Sequence, residues 1–265
     1  MEFRTVVDVE DPMFRIEPLE PILFVGSCFA DHIGRRFAEE HFPVTVNPFG
    51  VMYNPASVLH SVSRFEGAPR VAFLTLGTNH VYRLHETGEI VDNCQKRPHH
   101  LFREEELSAD QCVDFLLQAV DELHRRCQDV RVVLTVSPIR YAKYGYHGSQ
   151  LSKATLLLAA QRVVGERSFV CYFPAYEIVM DDLRDYRFYQ PDMLHPSAQA
   201  VEYIWQRLVE VYFSERAKQF LQEWKPVKEA LAHRPFQPES DAYKQFLQQT
   251  KQKEKDVLSR YALYI

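Results

Sequence analysis

The chain has 265 residues, 46% of them hydrophobic and 25% charged, which is the make-up of an ordinary globular protein large enough for one α/β domain or a domain with an appendage. Its formal net charge of −5 excludes the basic footprint of a nucleic-acid binder, and no stretch approaches the roughly 18 apolar residues of a membrane span. The cysteines, Cys28, Cys94, Cys112, Cys127 and Cys171, are odd in number and widely spaced, which fits a reducing compartment better than a disulfide framework.

The opening Met1–Asp8 lacks a basic segment followed by an apolar run. No signal peptide is therefore expected, and the cytoplasm is the expected location. Short apolar runs without alternation occur at Ile22–Val25, Val71–Leu76, Val132–Val136 and Phe169–Phe173, with a weaker one at Val44–Val46. Runs apolar on both sides predict strands covered on both faces, as in a parallel sheet.

Helical patterns alternate with these runs. Phe29, Ile33 and Phe37 recur every four residues, and Ala30, Gly34 and Ala38 beside them predict close packing on the sheet. Asn54-Pro55 opens a second helix with proline in its favoured first turn. Ser108 and Gln111 form a capping box before Val113, Leu116, Val120 and Leu123. Lys153 to Val164 reads as another helix, and Ser197 as the N-cap of one carrying Val201, Ile204, Leu208 and Val211. Asp181-Asp182 reads as part of a solvated helix face.

Two segments depart from this rhythm. Val81 to Val91 predicts an inserted β-hairpin turning at Thr87-Gly88. From about Glu215 the chain is helical and charged, and Pro226, Pro235 and Pro238 are expected to break it. The fold class expected is therefore α/β: three layers, a doubly wound and mostly parallel five-stranded sheet, an inserted hairpin and a C-terminal helical tail. The domain reading is residues 1–215 as the α/β domain and 216–265 as a helical extension, packed on the core or on a second copy of the chain.

Four sites carry chemistry-bearing residues. In Gly26-Ser27-Cys28-Phe29-Ala30 a buried strand ends at a glycine and a helix starts at once, so the helix dipole would favour a Cys28 thiolate. The competing reading is a small residue packed under the helix. In Asn47-Pro48-Phe49-Gly50 the Gly50 N–H can approach a substrate, although the segment is otherwise only a turn. In Gly77-Thr78-Asn79-His80 the Asn79 amide can donate to an oxyanion, or simply close its loop. In Asp192-Met193-Leu194-His195 the carboxylate of Asp192 can hold one ring nitrogen of His195 and leave the other to take a proton. All four fall at strand ends or at the last helix start, and a doubly wound sheet gathers such positions at one edge.

Phe24-Val25-Gly26-Ser27-Cys28-Phe29 resembles the strand–Gly–Asp–Ser–Leu opening of the SGNH (GDSL-like) hydrolases. Asn47 to Gly50, Gly77 to His80 and Asp192 to His195 resemble their second, third and fifth blocks, in order, across residues 22–215. The literal string Gly-Ser-Cys-Phe-Ala at 26–30 identifies the GSCFA family within that superfamily. Thr135-Val136-Ser137-Pro138-Ile139-Arg140 and Asp185-Tyr186-Arg187-Phe188-Tyr189 also resemble it. The chain departs from the superfamily pattern in having cysteine at the nucleophile position, Ser27 in place of aspartate and His80 in place of the third block's aspartate.

The resemblance implies an ester hydrolase acting on O-acyl, foremost acetyl, groups of a small molecule or carbohydrate. Cys28 is the nucleophile and Ser27 the alternative one. His195 is the base, oriented by Asp192, and Gly50 and Asn79 are oxyanion donors. An acyltransferase to a sugar hydroxyl is the alternative within the same site. A non-catalytic ligand-binding protein on a hydrolase fold is the alternative of another class. Arg140, after a strand end, and His80 are candidate substrate-binding residues. His80, Cys94, His99 and His100 match no familiar zinc spacing, so neither a metal nor a cofactor is expected. Nor is a nucleic-acid or membrane partner; a homo-oligomer through the tail is the partner reading.

Overall fold

A computed structural model describes residues 4–92 and 97–262, so Cys94 lies outside the described residues. In chain order the main elements are β1 (Ile22–Gly26), α1 (Cys28–Glu39), β2 (Val44–Val46), α2 (Pro55–Arg64), β3 (Val71–Leu76), β4 (His80–Leu84), β5 (Ile90–Val91) and β6 (Phe102–Glu106). There follow α3 (Ala109–Arg126), β7 (Arg131–Val136), α4 (Gly145–Glu166), β8 (Val170–Tyr172), a short helical turn α5 (Ala175–Glu177), α6 (Ala198–Tyr212), α7 (Glu215–Ala232) and α8 (Asp241–Tyr261).

Five strands pair in parallel in the order β2-β1-β3-β7-β8. Successive side chains of a strand leave opposite faces, and here both faces are covered. Phe24, Phe73 and Val133 enter one core, against Phe37 of α1, Trp205 of α6 and Phe213. Leu23, Leu74 and Leu134 enter the other, against Val58 of α2, Leu116 of α3 and Leu156 of α4. That double burial is why the strand sequences show continuous apolar runs, and it makes the architecture a three-layer α/β/α sandwich.

The direction of winding decides where the site falls. From β1 the chain moves outward to β2 through α1 on one face; it then crosses back past β1 to β3 and onward to β7 and β8 through α2, α3 and α4 on the other. Right-handed crossovers require this change of face when the direction reverses. A crevice opens outside the carboxyl ends of β1 and β3, where the reversal occurs. Gly26 makes the close approach of these two ends: its φ is +144°, and a Cβ there would lie 2.1 Å from the carbonyl oxygen of Thr75.

Several local expectations are corrected. The hairpin of β4 and β5 is present, but β6 pairs with the other edge of β4 to make a three-stranded antiparallel sheet. Its sequence, Phe-Arg-Glu-Glu-Glu, has no apolar alternation because most of it faces solvent. α4 starts at Gly145, eight residues before Lys153, through glycines and polar residues that carry little helical signal. Pro226 does not break α7. Losing the hydrogen bond to Gln222 and crowding its carbonyl costs on the order of 3 kcal/mol, which is offset by burial of Phe220, Trp224 and Val227.

Asp182 is not on a solvated face either. It is 4% exposed in a π-helical turn, Ile178–Asp182, where it accepts from the Val7 N–H and, at 2.7 Å, from Tyr203 Oη. It thus pins the N-terminal segment to α6. Helices α7 and α8 pack together and onto the α1 side of the molecule. Phe220 meets Phe42 and Tyr261 edge to face, Trp224 Nε1 donates to the Glu39 carbonyl at 3.2 Å, and Lys228 pairs with Glu40. No helix among the described residues is long and apolar enough to cross a membrane.

Candidate active site

β1 ends in Gly26, and Ser27 is the N-cap of α1. Its Oγ accepts from the Phe29 N–H at 3.3 Å, lies 3.2 Å from Thr75 Oγ1, and is entirely buried. Cys28, the first residue of α1, is partly exposed. Its Sγ lies 3.9 Å from the Tyr53 hydroxyl. A backbone N–H in the first helical turn has no intrahelical acceptor, so the Cys28 amide is an orphan donor beside its own sulfur.

The turn after β2 is tied to this point. Asn47, at φ +42°, accepts from the Gly26 N–H at 2.8 Å and donates from Nδ2 to Asp31 of α1 at 2.7 Å. Met52 N–H then donates to the Gly26 carbonyl at 2.8 Å, which brings Tyr53 over Cys28. Burial, the Cys28 sulfur and Asp31 push the Tyr53 hydroxyl up to about 12. Tyr141, which follows β7, stands edge-on to Tyr53 at 6.3 Å. Its buried hydroxyl has no hydrogen-bond partner among the described residues. Gly77 makes room for it, since a Cβ there would lie 2.3 Å from the Tyr141 oxygen.

Under these loops lies Lys153, 2% exposed. Its Nζ donates to the carbonyls of Gly77 and Ser137, both at 2.7 Å, and so clamps the ends of β3 and β7 together. Burial pushes its ammonium down to about 7.

Asp192 and His195 form one closed turn ahead of α6. Asp192 Oδ1 accepts from the Leu194 N–H at 2.8 Å and the His195 N–H at 3.0 Å, and Oδ2 lies 2.6 Å from His195 Nδ1. These donors, the two backbone N–H groups first, hold the carboxyl down at about 2. An ionised carboxylate can only accept, so Nδ1 carries a proton, and in the neutral ring Nε2 is the acceptor. The turn stands beside α1: after burial, the His195 charge is the next largest influence that lowers His32, one helical turn on from Cys28. Among the described residues no hydrogen bond joins Cys28 to His195.

Residues 21–70 and 61–208 match the GSCFA family, and residues 224–262 match the GSCFA domain protein, C-terminal domain. The chain belongs to the GSCFA family. No curated protein matches it. Among solved structures, a protein from Streptococcus pneumonia described provisionally as a platelet activating factor is similar with TM-score 0.50 and 16% identity, over 75% of this chain and 85% of that one. A point mutant of an acetyl-xylooligosaccharide esterase from Geobacillus Stearmophilus is similar with TM-score 0.50 and 12% identity, over 77% of this chain and 98% of the other. At such identities the likeness is one of fold.

Two expected donors of this GSCFA chain are engaged by other groups of the protein. The Gly50 N–H donates to the Asn47 carbonyl at 2.9 Å, because the turn closes on itself. Asn79 is 3% exposed and its Nδ2 donates to the Leu107 carbonyl at 2.8 Å, as a buried amide must find a partner. His80 is buried and stacks face to face on Tyr144 at 3.6 Å. Arg140 is tied to the Asp192–His195 turn, with its N–H on the Leu194 carbonyl at 3.0 Å and Nη1 on the Met193 carbonyl at 2.9 Å. No group of three His, Cys, Asp or Glu able to hold a metal occurs among the described residues.

The residues that sequence reasoning missed are Tyr53, Tyr141 and Lys153. The two tyrosines had a signal, since each follows the carboxyl end of a parallel strand by a few residues. Lys153 had a weaker one, a cation placed among the apolar positions of α4.

Proposed function

We propose that this protein is a cysteine-dependent esterase that cleaves O-acyl esters, acetyl foremost, through a thioester on Cys28. The observation that carries the reading is the contrast at the end of β1. Of two adjacent candidate nucleophiles, only Cys28 has access to solvent, at the first turn of α1 and beside an oriented histidine turn.

His195 Nε2 takes the thiol proton as Sγ bonds to the acyl carbon. The carbon–oxygen bond to the alcohol then breaks, and His195 returns the proton to the departing oxygen. A water, deprotonated by the same nitrogen, attacks the thioester, releases the acid and restores the thiol. Asp192 keeps the Nδ1 proton in place throughout. The oxyanion is held by the Cys28 backbone N–H and the Tyr53 hydroxyl; Gly50 is left out because its N–H is bound to Asn47, and Asn79 because its amide is buried against the Leu107 carbonyl. The fold it shares with an acetyl-xylooligosaccharide esterase supports ester chemistry and a carbohydrate among the acyl carriers.

The test is hydrolysis of an aryl acetate by the wild type, Cys28→Ala, Ser27→Ala and His195→Ala. Loss in Cys28→Ala and His195→Ala with activity kept in Ser27→Ala is the expected result. Activity that survives without Cys28 but not without Ser27 moves the nucleophile by one residue. Inactivity of the wild type overturns the esterase reading.

A further inference from the structure

A cleft of about 250 Å³ opens on the far side of the Asp192–His195 turn. Val179 and Leu183 form its floor, and Arg140, Gln150, Tyr186 and Tyr189 supply its polar wall. Arg140 dominates it. Its guanidinium lies 4.0 Å from the ring centre of Tyr146, 5.3 Å from that of Tyr189 and 5.9 Å from that of Tyr186.

This guanidinium is held but not neutralised. Its one side-chain hydrogen bond goes to the Met193 carbonyl, and among the described residues no carboxylate lies within ion-pair distance of it. The carboxylate nearest along the lining, Asp185, is turned to its own loop, where it accepts from the Arg187 N–H at 2.8 Å. Gln150 accepts from Tyr176 through Oε1, and its Nε2 has no acceptor among the described residues. Arg184, on the rim, is 82% exposed and pairs with Asp181 at 3.8 Å, so Arg140 is the cation of this cleft that lacks a carboxylate partner among the described residues. A fixed, partly desolvated guanidinium with a free edge and no counter-ion matches the geometry of a carboxylate or phosphate. The guanidinium on the Met193 carbonyl and the Arg140 backbone N–H on the Leu194 carbonyl make the wall of this cleft continuous with the backbone that carries His195.

From this we infer that the cleft is a subsite for an anionic group of the substrate, so that the preferred ester carries a carboxylate or phosphate on the part that reaches past His195 to Arg140. The inference rests on the esterase reading.

The test compares two aryl acetates that differ in one charge, 4-acetoxybenzoate and its methyl ester. The wild type is expected to favour the anionic ester by about tenfold or more in kcat/KM, the worth of a charge-assisted hydrogen bond. Arg140→Gln is expected to bring that ratio to about one. Tyr186→Ala alters a side chain that is 69% exposed and is expected to lower the ratio several-fold, which keeps the test valid if Arg140→Gln does not fold. No preference in the wild type overturns the subsite, as does a ratio unchanged in both variants. If neither ester is hydrolysed, the esterase reading fails and calorimetry with inorganic phosphate decides the subsite alone. Binding to the wild type that Arg140→Gln loses supports it, and equal or absent binding overturns it.

Discussion

Ser27 and Cys28 are neighbours in the chain with opposite environments. The serine hydroxyl is sealed against Thr75 and the Phe29 N–H, while the cysteine sulfur reaches the surface 3.9 Å from Tyr53 Oη. The serine is thereby a cap and the cysteine a candidate nucleophile. Ser27→Ala is expected to cost about 1 kcal/mol of stability through the lost cap and to keep the esterase activity. Thermal denaturation and aryl acetate hydrolysis on the same sample measure both. An inactive but folded Ser27→Ala would contradict the assignment.

Tyr53 donates to the oxyanion in the proposed mechanism, so Tyr53→Phe removes a contact that strengthens in the transition state. Its kcat is expected to fall about tenfold or more, with KM little changed. A rise in KM at constant kcat would instead make Tyr53 a ground-state contact. Steady-state kinetics with one aryl ester separates the two.

Asp192 holds the histidine in the tautomer that leaves Nε2 free. Asp192→Asn is expected to lower kcat/KM by about two to four orders of magnitude. The carboxyl is held at about 2, below its ordinary 3.8, so its contribution is fully present above the ordinary value and is lost as pH falls through about 2. The turn should therefore keep its geometry at any pH above about 4. NMR titration of the Asp192 carboxyl checks this, and a midpoint near 4 would refute it.

Lys153 has a dependence of the same sign in a higher pH window, and it comes from a burial penalty instead of a favourable contact. Its folded value of about 7 lies below the ordinary 10.5, so between these limits the unfolded chain holds a proton that the folded protein has released. Stability rises with pH across that window, and the full cost of burying the charge falls below pH 7. Lys153→Met leaves the Gly77 and Ser137 carbonyls without their donor, at a cost of about 2 kcal/mol, and removes the dependence. The gap in melting temperature between wild type and variant should widen from pH 7 to pH 9. A constant gap in a series of thermal melts would contradict the shift.

The outline of the protein was legible because its signals are local. Continuous apolar runs specify strands covered on both faces, Asn54-Pro55 and the Ser108–Gln111 capping box specify helix starts, and both starts are present as read. The readings that failed had no local signal. β6 is a charged strand held only by its pairing to β4. Asp182 is polar and buried only because Val7 and Tyr203, distant in sequence, supply its donors. Pro226 stays helical because one face of α7 is buried against residues that no local window contains.

The same division runs through the site. The order of strands and helices determined a parallel sheet with Cys28 at the carboxyl end of β1, since a strand followed at once by a helix admits little else. What only the tertiary structure decided is which donors remain free. Hydrogen bonds are claimed by whichever partner is nearest in space, and Leu107 and Asn47 claim those of Asn79 and Gly50. Tyr53, Tyr141 and Lys153 reach the site through loop and helix positions that depend on how β2, β3 and β7 end side by side. Sequence spacing encodes the strands, but the distance between their ends is a property of the packed sheet.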